Sequence, residues 1–278
     1  MKNSLFKTQI LPIAMTVIVA VAMIGLTYGE IILLNRFTAT DIELSIRWYD
    51  ILVGLTIYLK TSIDFAIFIG HLMSNNPTWK GRIAIELGSA IGNAAGTLII
   101  LAVWTFFKEV LWLLALMILI ASLVLFRLAE DSFEHVDTNS HIYPSWFRKF
   151  LEGFKKAIHA VNSIIAPVLN KVVPNIDLKS TKKMAFWTLF GFSFTVPFIL
   201  GLDDFAGYVP LFSIVNVLGF AIGVISGHMI LNMLLYISPT KTIKLVKNPI
   251  FALLGSIAFV ILGTWGLREV IVLVQHMF

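Results

Sequence analysis

Seven stretches of the chain are predominantly apolar for about 20 residues or more, enough for an α-helix to cross about 30 Å of hydrocarbon. They cover residues 9–34, 49–73, 83–107, 110–128, 184–210, 212–237 and 249–275. The pattern predicts an all-α polytopic membrane protein with seven transmembrane helices. Lys2 and Lys7 precede a run containing Ala20, Val21 and Ala22, which has the outline of a signal peptide, but apolar residues continue through Leu34. That is too long for the apolar region of a signal, so the first helix is expected to be an uncleaved anchor.

Polar positions concentrate in one segment, 129–183, which opens acidic and histidine-containing and continues basic. Within it Phe147, Phe150, Leu151, Phe154, Ile158 and Val161 fall at helical spacing among Arg148, Lys149, Lys155 and Lys156. This predicts an amphipathic helix, capped by Ser145, lying on the inner leaflet. A calmodulin-target reading of such a helix ranks below a surface anchor.

The flanking segments carry an internal repeat. Leu87 to Gly96 and Leu218 to Gly227 are identical at six of ten positions, with Gly88, Gly92 and Gly96 answering Gly219, Gly223 and Gly227. A helix with an aspartate precedes each copy, with Asp64 in the first and Asp203 and Asp204 in the second, and an apolar helix follows each. Three spans is an odd number, so the second unit enters the membrane from the opposite side, giving an inverted repeat. The expected organisation is an N-terminal helix and outer loop (1–48), a first three-helix unit (49–128), a linker (129–183) and a second three-helix unit (184–278). Small residues four apart allow close helix approach, and the two glycine helices are expected to meet each other at the centre.

Composition agrees with the bilayer as solvent: 58% of residues are hydrophobic and 13% charged, against roughly 45–50% and 25% in soluble domains. The mean hydropathy is +0.88. With the N-terminus inside, 16 of the 21 lysines and arginines fall on the cytoplasmic side and four outside, with Lys60 left within a span. This positive-inside bias places the N-terminus in the cytoplasm and the C-terminus outside. The net charge of +5 then reflects orientation and contact with anionic lipid. No nucleic-acid motif is present, so the lipid bilayer is the expected partner, with a homo-oligomer as a further possibility.

A carboxylate in hydrocarbon costs at least about 2.5 kcal/mol, which makes each intramembrane acid a candidate functional group. Asp64, Asp203, Asp204 and Glu86 qualify, with Asn93 and His228 as further ion-binding candidates; Asn232 lies four residues after His228. Pro197, Gly201, Gly207 and Pro210 predict a broken helix around Asp203 and Asp204, whose exposed carbonyls would help ligate a cation. Lys60, four residues before Asp64, either neutralises it on one helix face or serves as a counter-charge displaced by a substrate ion. His71, seven after Asp64, shares that face. Each candidate has a plainer reading: an interfacial Glu86 beside Arg82, or interhelical hydrogen bonds from His228, Asn93 and Asn232. Glu30 and Asp50 read as mouth or interface residues. The linker residues Asp131, Glu134, His135, Asp137 and His141 match no standard metal spacing and read as a solvated loop.

Two three-helix units with an aspartate in the first helix of each resemble the lysine exporter superfamily. Gly201-Leu202-Asp203-Asp204-Phe205-Ala206-Gly207-Tyr208-Val209-Pro210-Leu211-Phe212 is similar to a motif of the cadmium-resistance transporters. Thr61-Ser62-Ile63-Asp64 resembles the first aspartate signature of that family and of the TerC family. Where those families carry asparagine after the aspartate, this chain has Phe65 in the first unit, and Asp204 then Phe205 in the second. The resemblance covers about residues 49–275. It implies a secondary transporter exporting a divalent metal cation, with Asp64 and Asp204 as metal ligands and no permanently bound cofactor. Export of a cationic amino acid is the alternative within the superfamily, and a non-transporting scaffold or partner subunit the alternative outside it. The absence of cysteine leaves carboxylates, imidazoles and carbonyls as donors, which suit hard or borderline ions. No ATP-binding motif is present, so a proton or ion gradient is the expected energy source. An enzyme is not expected: there are no histidine boxes and no nucleophile motif with a base at useful spacing. The last helix has no lysine for a retinal Schiff base.

Overall fold

The computed structural model describes residues 10–39, 41–134, 144–172, 185–213, 215–246 and 248–277. Ten α-helices are formed among them: α1 Leu11–Phe37, α2 Trp48–Thr61, α3 Ile63–Asn75, α4 Trp79–Lys108, α5 Leu111–Glu134, α6 Ser145–Val172, α7 Phe186–Tyr208, α8 Val217–Ile237, α9 Pro239–Val246 and α10 Pro249–Gln275. No strand occurs among the described residues. Five helices, α1, α4, α5, α8 and α10, are long and apolar enough to cross a membrane, and the chain is an all-helical protein of membrane character.

The second predicted span is interrupted. Ser62, at φ −83° and ψ 23°, separates α2 from α3, and at 1.5 Å per residue neither piece alone reaches beyond about 21 Å. The Thr61 hydroxyl donates to the Tyr58 carbonyl at 3.1 Å, offering the backbone a local alternative to the helical ladder. The break falls between Lys60 and Asp64. The side chains of both lie outside the described residues. Asp64 is the second residue of α3, and Lys60 stands in the last turn of α2.

The predicted break around Asp203 and Asp204 is absent. Helix α7 runs through both and past Pro197 to Tyr208, and only then tightens into a 3₁₀ segment, Val209–Ser213. Proline removes one backbone donor and bends a helix, but does not end one whose neighbouring turns stay bonded.

The glycine faces do not meet each other either. A Cβ on Gly88 would stand 2.5 Å from the Phe190 carbonyl oxygen, and one on Gly92 would collide with that of Phe194, so the glycine face of α4 lies on the α7 backbone. The glycine face of α8 lies on α2, where a Cβ on Gly219 would come 2.8 Å from Asp50 Cβ, one on Gly227 would come 2.9 Å from the Tyr58 ring, and one on Gly223 would strike the Ile51 carbonyl. Contact between α4 and α8 themselves is sparse, α5 packs along α10, and α1 lies over both α4 and α8. The core follows this arrangement, with Tyr58, Phe68, Leu101, Leu125, Phe220, Leu235 and Phe259 all but inaccessible.

Side-chain caps fix three helix starts. Thr78 accepts from the Gly81 amide, Asn216 from the Leu218 and Gly219 amides, and Asn248 from the Ile250 amide, each satisfying donors that a helix N-terminus leaves open. The predicted amphipathic helix forms as α6, one residue earlier than expected. Pro144 holds the cap position, its carbonyl accepting from the Phe147 and Arg148 amides. Leu151 and Ile158 are buried on one face of α6, and Leu151 clusters with Phe133, Ala252 and Leu253. Glu130 of α5 receives His159 Nδ1 and Asn162 Nδ2, each at 2.7 Å. His135, Asp137 and His141 lie outside the described residues.

Candidate functional site

Where α1 crosses the α4–α8 pair, a cavity of about 20 Å³ remains, lined in part by Thr16, Thr27, Glu86, Asn93, Thr97 and His228. That is room for roughly one water-sized occupant at a time. The polar residues come from spacing on two faces: Glu86, Asn93 and Thr97 share one face of α4 at i, i+7 and i+11, and Thr16 and Thr27 share one face of α1 at i and i+11. At helical rise the polar line extends for about 16 Å. All three threonine hydroxyls donate to carbonyls of their own helices: Thr16 to Pro12 at 3.0 Å, Thr27 to Met23 at 3.0 Å and Thr97 to Asn93 at 3.0 Å. Their oxygens face the cavity, and the Thr16 hydroxyl stands beside the Glu86 carboxyl.

Glu86 is wholly buried within the protein. One carboxylate oxygen, Oε2, accepts from Asn232 Nδ2 at 3.0 Å and from the Tyr236 hydroxyl at 2.9 Å; the other, Oε1, has no hydrogen-bond partner. The Asn232 amide also stands 3.0 Å from His228 Nε2, and His228 Nδ1 stands 2.7 Å from the Tyr58 hydroxyl of α2. Because Nδ2 carries hydrogens and no acceptor capacity, Nε2 of the imidazole accepts. The neutral ring therefore holds its hydrogen on Nδ1 and donates to Tyr58. The Phe65 ring, at 5.1 Å between centroids, covers His228. A buried chain of carboxylate, amide, imidazole and phenol thus joins α4, α8 and α2. Arg82, one turn before Glu86, donates to the Tyr236 carbonyl at 3.2 Å.

The structure brings together Glu86, Asn93 and His228 from the predicted ion-binding set. His71 is exposed on α3 and takes no part in the cavity. The side chains of Lys60, Asp64, Asp203 and Asp204 lie outside the described residues, and no group of three or more His, Asp or Glu able to hold a metal occurs among those that are described. Sequence reasoning left out Tyr236 and Tyr58. Tyr236 was legible, since 228, 232 and 236 form an i, i+4, i+8 polar ladder on α8. Tyr58 carried no signal, because its partner lies 170 positions away.

At the opposite end of α8 the 41–47 loop is tied down. Asn216 Nδ2 donates to the Glu43 carbonyl at 2.9 Å and approaches Ser45 Oγ at 3.2 Å. Hydrogen bonds from Ser45 and Asn216 hold the Glu43 carboxyl below its ordinary value. Arg47 bonds the buried Asp50 at 2.8 Å, which raises the guanidinium further above neutrality. Compared with protein-family models, curated proteins and solved structures, the chain finds no match.

Proposed function

We propose that the chain is a secondary transporter of a prokaryotic cytoplasmic membrane, exporting a divalent metal cation by rocking two inverted three-helix units about a midplane carboxylate site. The observation that carries the reading is the exchange of partners: the glycine face of α4 seats on α7, and that of α8 seats on α2. If α2–α3, α4 and α5 correspond to α7, α8 and α10, these two contacts are equivalent under one two-fold relation, and the α5–α10 contact maps onto itself. Counting Trp48–Asn75 as one interrupted span and α7 as another brings the five long helices to seven, with the N-terminus inside and the C-terminus outside.

Asp203 and Asp204 fall on the exchanged helix α7, and Asp64 falls on α3, which follows the exchanged helix α2 after the interruption at Ser62; opposite motions of the units would alter access to both sides in turn. Two carboxylates balance a divalent charge, and a chain without cysteine favours oxygen and nitrogen coordination. Proteoliposome uptake of manganese, cadmium, zinc and calcium under a pH gradient tests the reading, with lysine flux in parallel. The expected result is flux of at least one metal, abolished in both Asp64→Asn and Asp204→Asn while the variants remain folded. Lysine flux without metal flux transfers the site to the cationic amino-acid reading. No flux, or flux indifferent to both substitutions, rejects the carboxylate site and favours a scaffold.

A further inference from the structure

The seam beneath α1 has no place in the exchange of partners between the two units, yet it holds a buried carboxylate with an unpartnered oxygen. We propose that Glu86 is a dedicated proton-binding site, reached along the α1–α4 seam and separate from the aspartates of the cargo site, so that α1 serves to enclose a proton path. The inference rests on the transporter reading for its purpose, but proton binding is measurable without it.

Four observations converge. Oε2 of Glu86 is fully engaged by Asn232 and Tyr236, while Oε1 is buried without a donor, and a proton on Oε1 leaves both existing bonds intact. The threonines of the seam bond i−4 carbonyls and line the slot with hydroxyl oxygens, Thr16 beside Glu86 itself, and a hydroxyl-lined slot suits an arriving proton carried by water. Its volume of about 20 Å³ excludes an amino acid or a hydrated metal. Glu30 follows Thr27 by three residues on the same face of α1, and its Oε2 is likewise buried without a partner, placing a second carboxylate one turn beyond the cavity.

The surrounding groups determine which one accepts. Facing Glu86 are Arg82 on its own helix and His228 and Tyr236 on α8, with Tyr58 of α2 behind the imidazole; among the described residues of α1, only Thr16, Val19, Ala20, Met23 and Thr27, none of them ionisable, line the cavity, and α7 covers the opposite, glycine face of α4. His228 cannot take a proton on Nε2 while Asn232 donates there. It would first have to turn the amide, which would also withdraw the donor from Glu86. The amide therefore directs a single proton to Glu86, drawn from the aqueous phase and returned to it as Glu–COO⁻ and Glu–COOH interconvert.

Infrared difference spectra of the purified protein in nanodiscs, recorded across a pH titration with no transported ion present, test this directly. The expected result is a carboxylic-acid C=O band that grows as pH falls, is lost in Glu86→Gln and persists in Asp64→Asn and Asp204→Asn. A band unchanged in folded Glu86→Gln overturns the proposal. Should that variant fail to fold, carbodiimide labelling of the wild-type protein with peptide mapping decides. Modification at Glu86 that declines with rising pH supports the site, and labelling confined to other carboxyls overturns it. A Glu86 band in a protein that moves no cation leaves this inference standing and removes the transport reading; metal flux without the band does the reverse.

Discussion

Asn232 of α8 and Glu86 of α4 stand 3.0 Å apart in a fully buried setting, and one amide group there serves two acceptors on two different side chains. Asn232→Ala removes one of the two donors to Glu86 Oε2, the Tyr236 hydroxyl remaining, and the donor to His228 Nε2. Leaving the buried imidazole acceptor unsatisfied costs about 1–3 kcal/mol, so the variant is expected to lose about that much stability in detergent, read as a lowered unfolding midpoint. An unchanged midpoint would mean that water replaces the amide and that the network does not hold α4 to α8.

The glycine contacts make a sharper structural prediction. Gly92 and Gly223 each face a backbone carbonyl of the opposing helix, with no flexible side chain to yield. Adding a methyl group forces the helices apart, and overpacking of this kind costs about 1–3 kcal/mol. Gly92→Ala and Gly223→Ala are expected to be comparably destabilising, because each drives a methyl group into a backbone carbonyl of the facing helix. Gly191→Ala is the control, since nothing lies within 4 Å of a Cβ there. Similar midpoints for all three variants would contradict the close seating of α4 on α7 and of α8 on α2.

Glu43 gives a pH dependence with a definite sign. Its carboxyl is held below the ordinary 4.5 by Ser45 and Asn216, so what the ionised form contributes is complete above that value and is lost as pH falls through the lower folded value. Acidification is expected to loosen the 41–47 loop from the start of α8, seen as faster hydrogen exchange in that loop. Glu43→Gln should abolish the pH dependence. The group is exposed, so the effect is local and small. Exchange that stays constant with pH in the wild type would remove Glu43 from the tether.

Much of this arrangement was legible in the sequence, and the parts that were not share a physical cause. Apolar runs located the long helices, and small residues at four-residue spacing located the close contacts. Periodicity says which face of a helix is smooth but not which helix lies on it, and this is why the glycine helices were expected to meet each other. The interruption at Ser62 carries no signal in hydropathy, which continues across Thr61 and Ser62, because it depends on local backbone geometry. At Pro197 the composition pointed the other way, and the helix absorbed the proline. Glu86, Asn93 and His228 were visible as polar residues within apolar runs. Their convergence under α1 was not, because nothing in the threonines of the first helix announces a partner.

Helix α6 poses a question that its sequence leaves open, because an amphipathic helix can be held by lipid or by protein. Leu151 is inaccessible among Phe133, Ala252 and Leu253, while Trp146 and Phe150 remain exposed at 70% and 49%. One apolar edge is thus docked on α5 and α10, and another is turned outward beside Arg148 and Lys149. The two edges are expected to respond differently. Leu151→Ala should cost about 2–5 kcal/mol, the range for truncating a buried leucine, and should do so in lipid-free detergent, with earlier proteolysis of α6. Trp146→Ala should leave the unfolding midpoint within about 0.5 kcal/mol but weaken binding to vesicles containing anionic lipid, where an exposed indole beside basic residues gains most. If Leu151→Ala were silent without lipid, the helix would be held by the membrane and the docked edge would not be what retains it.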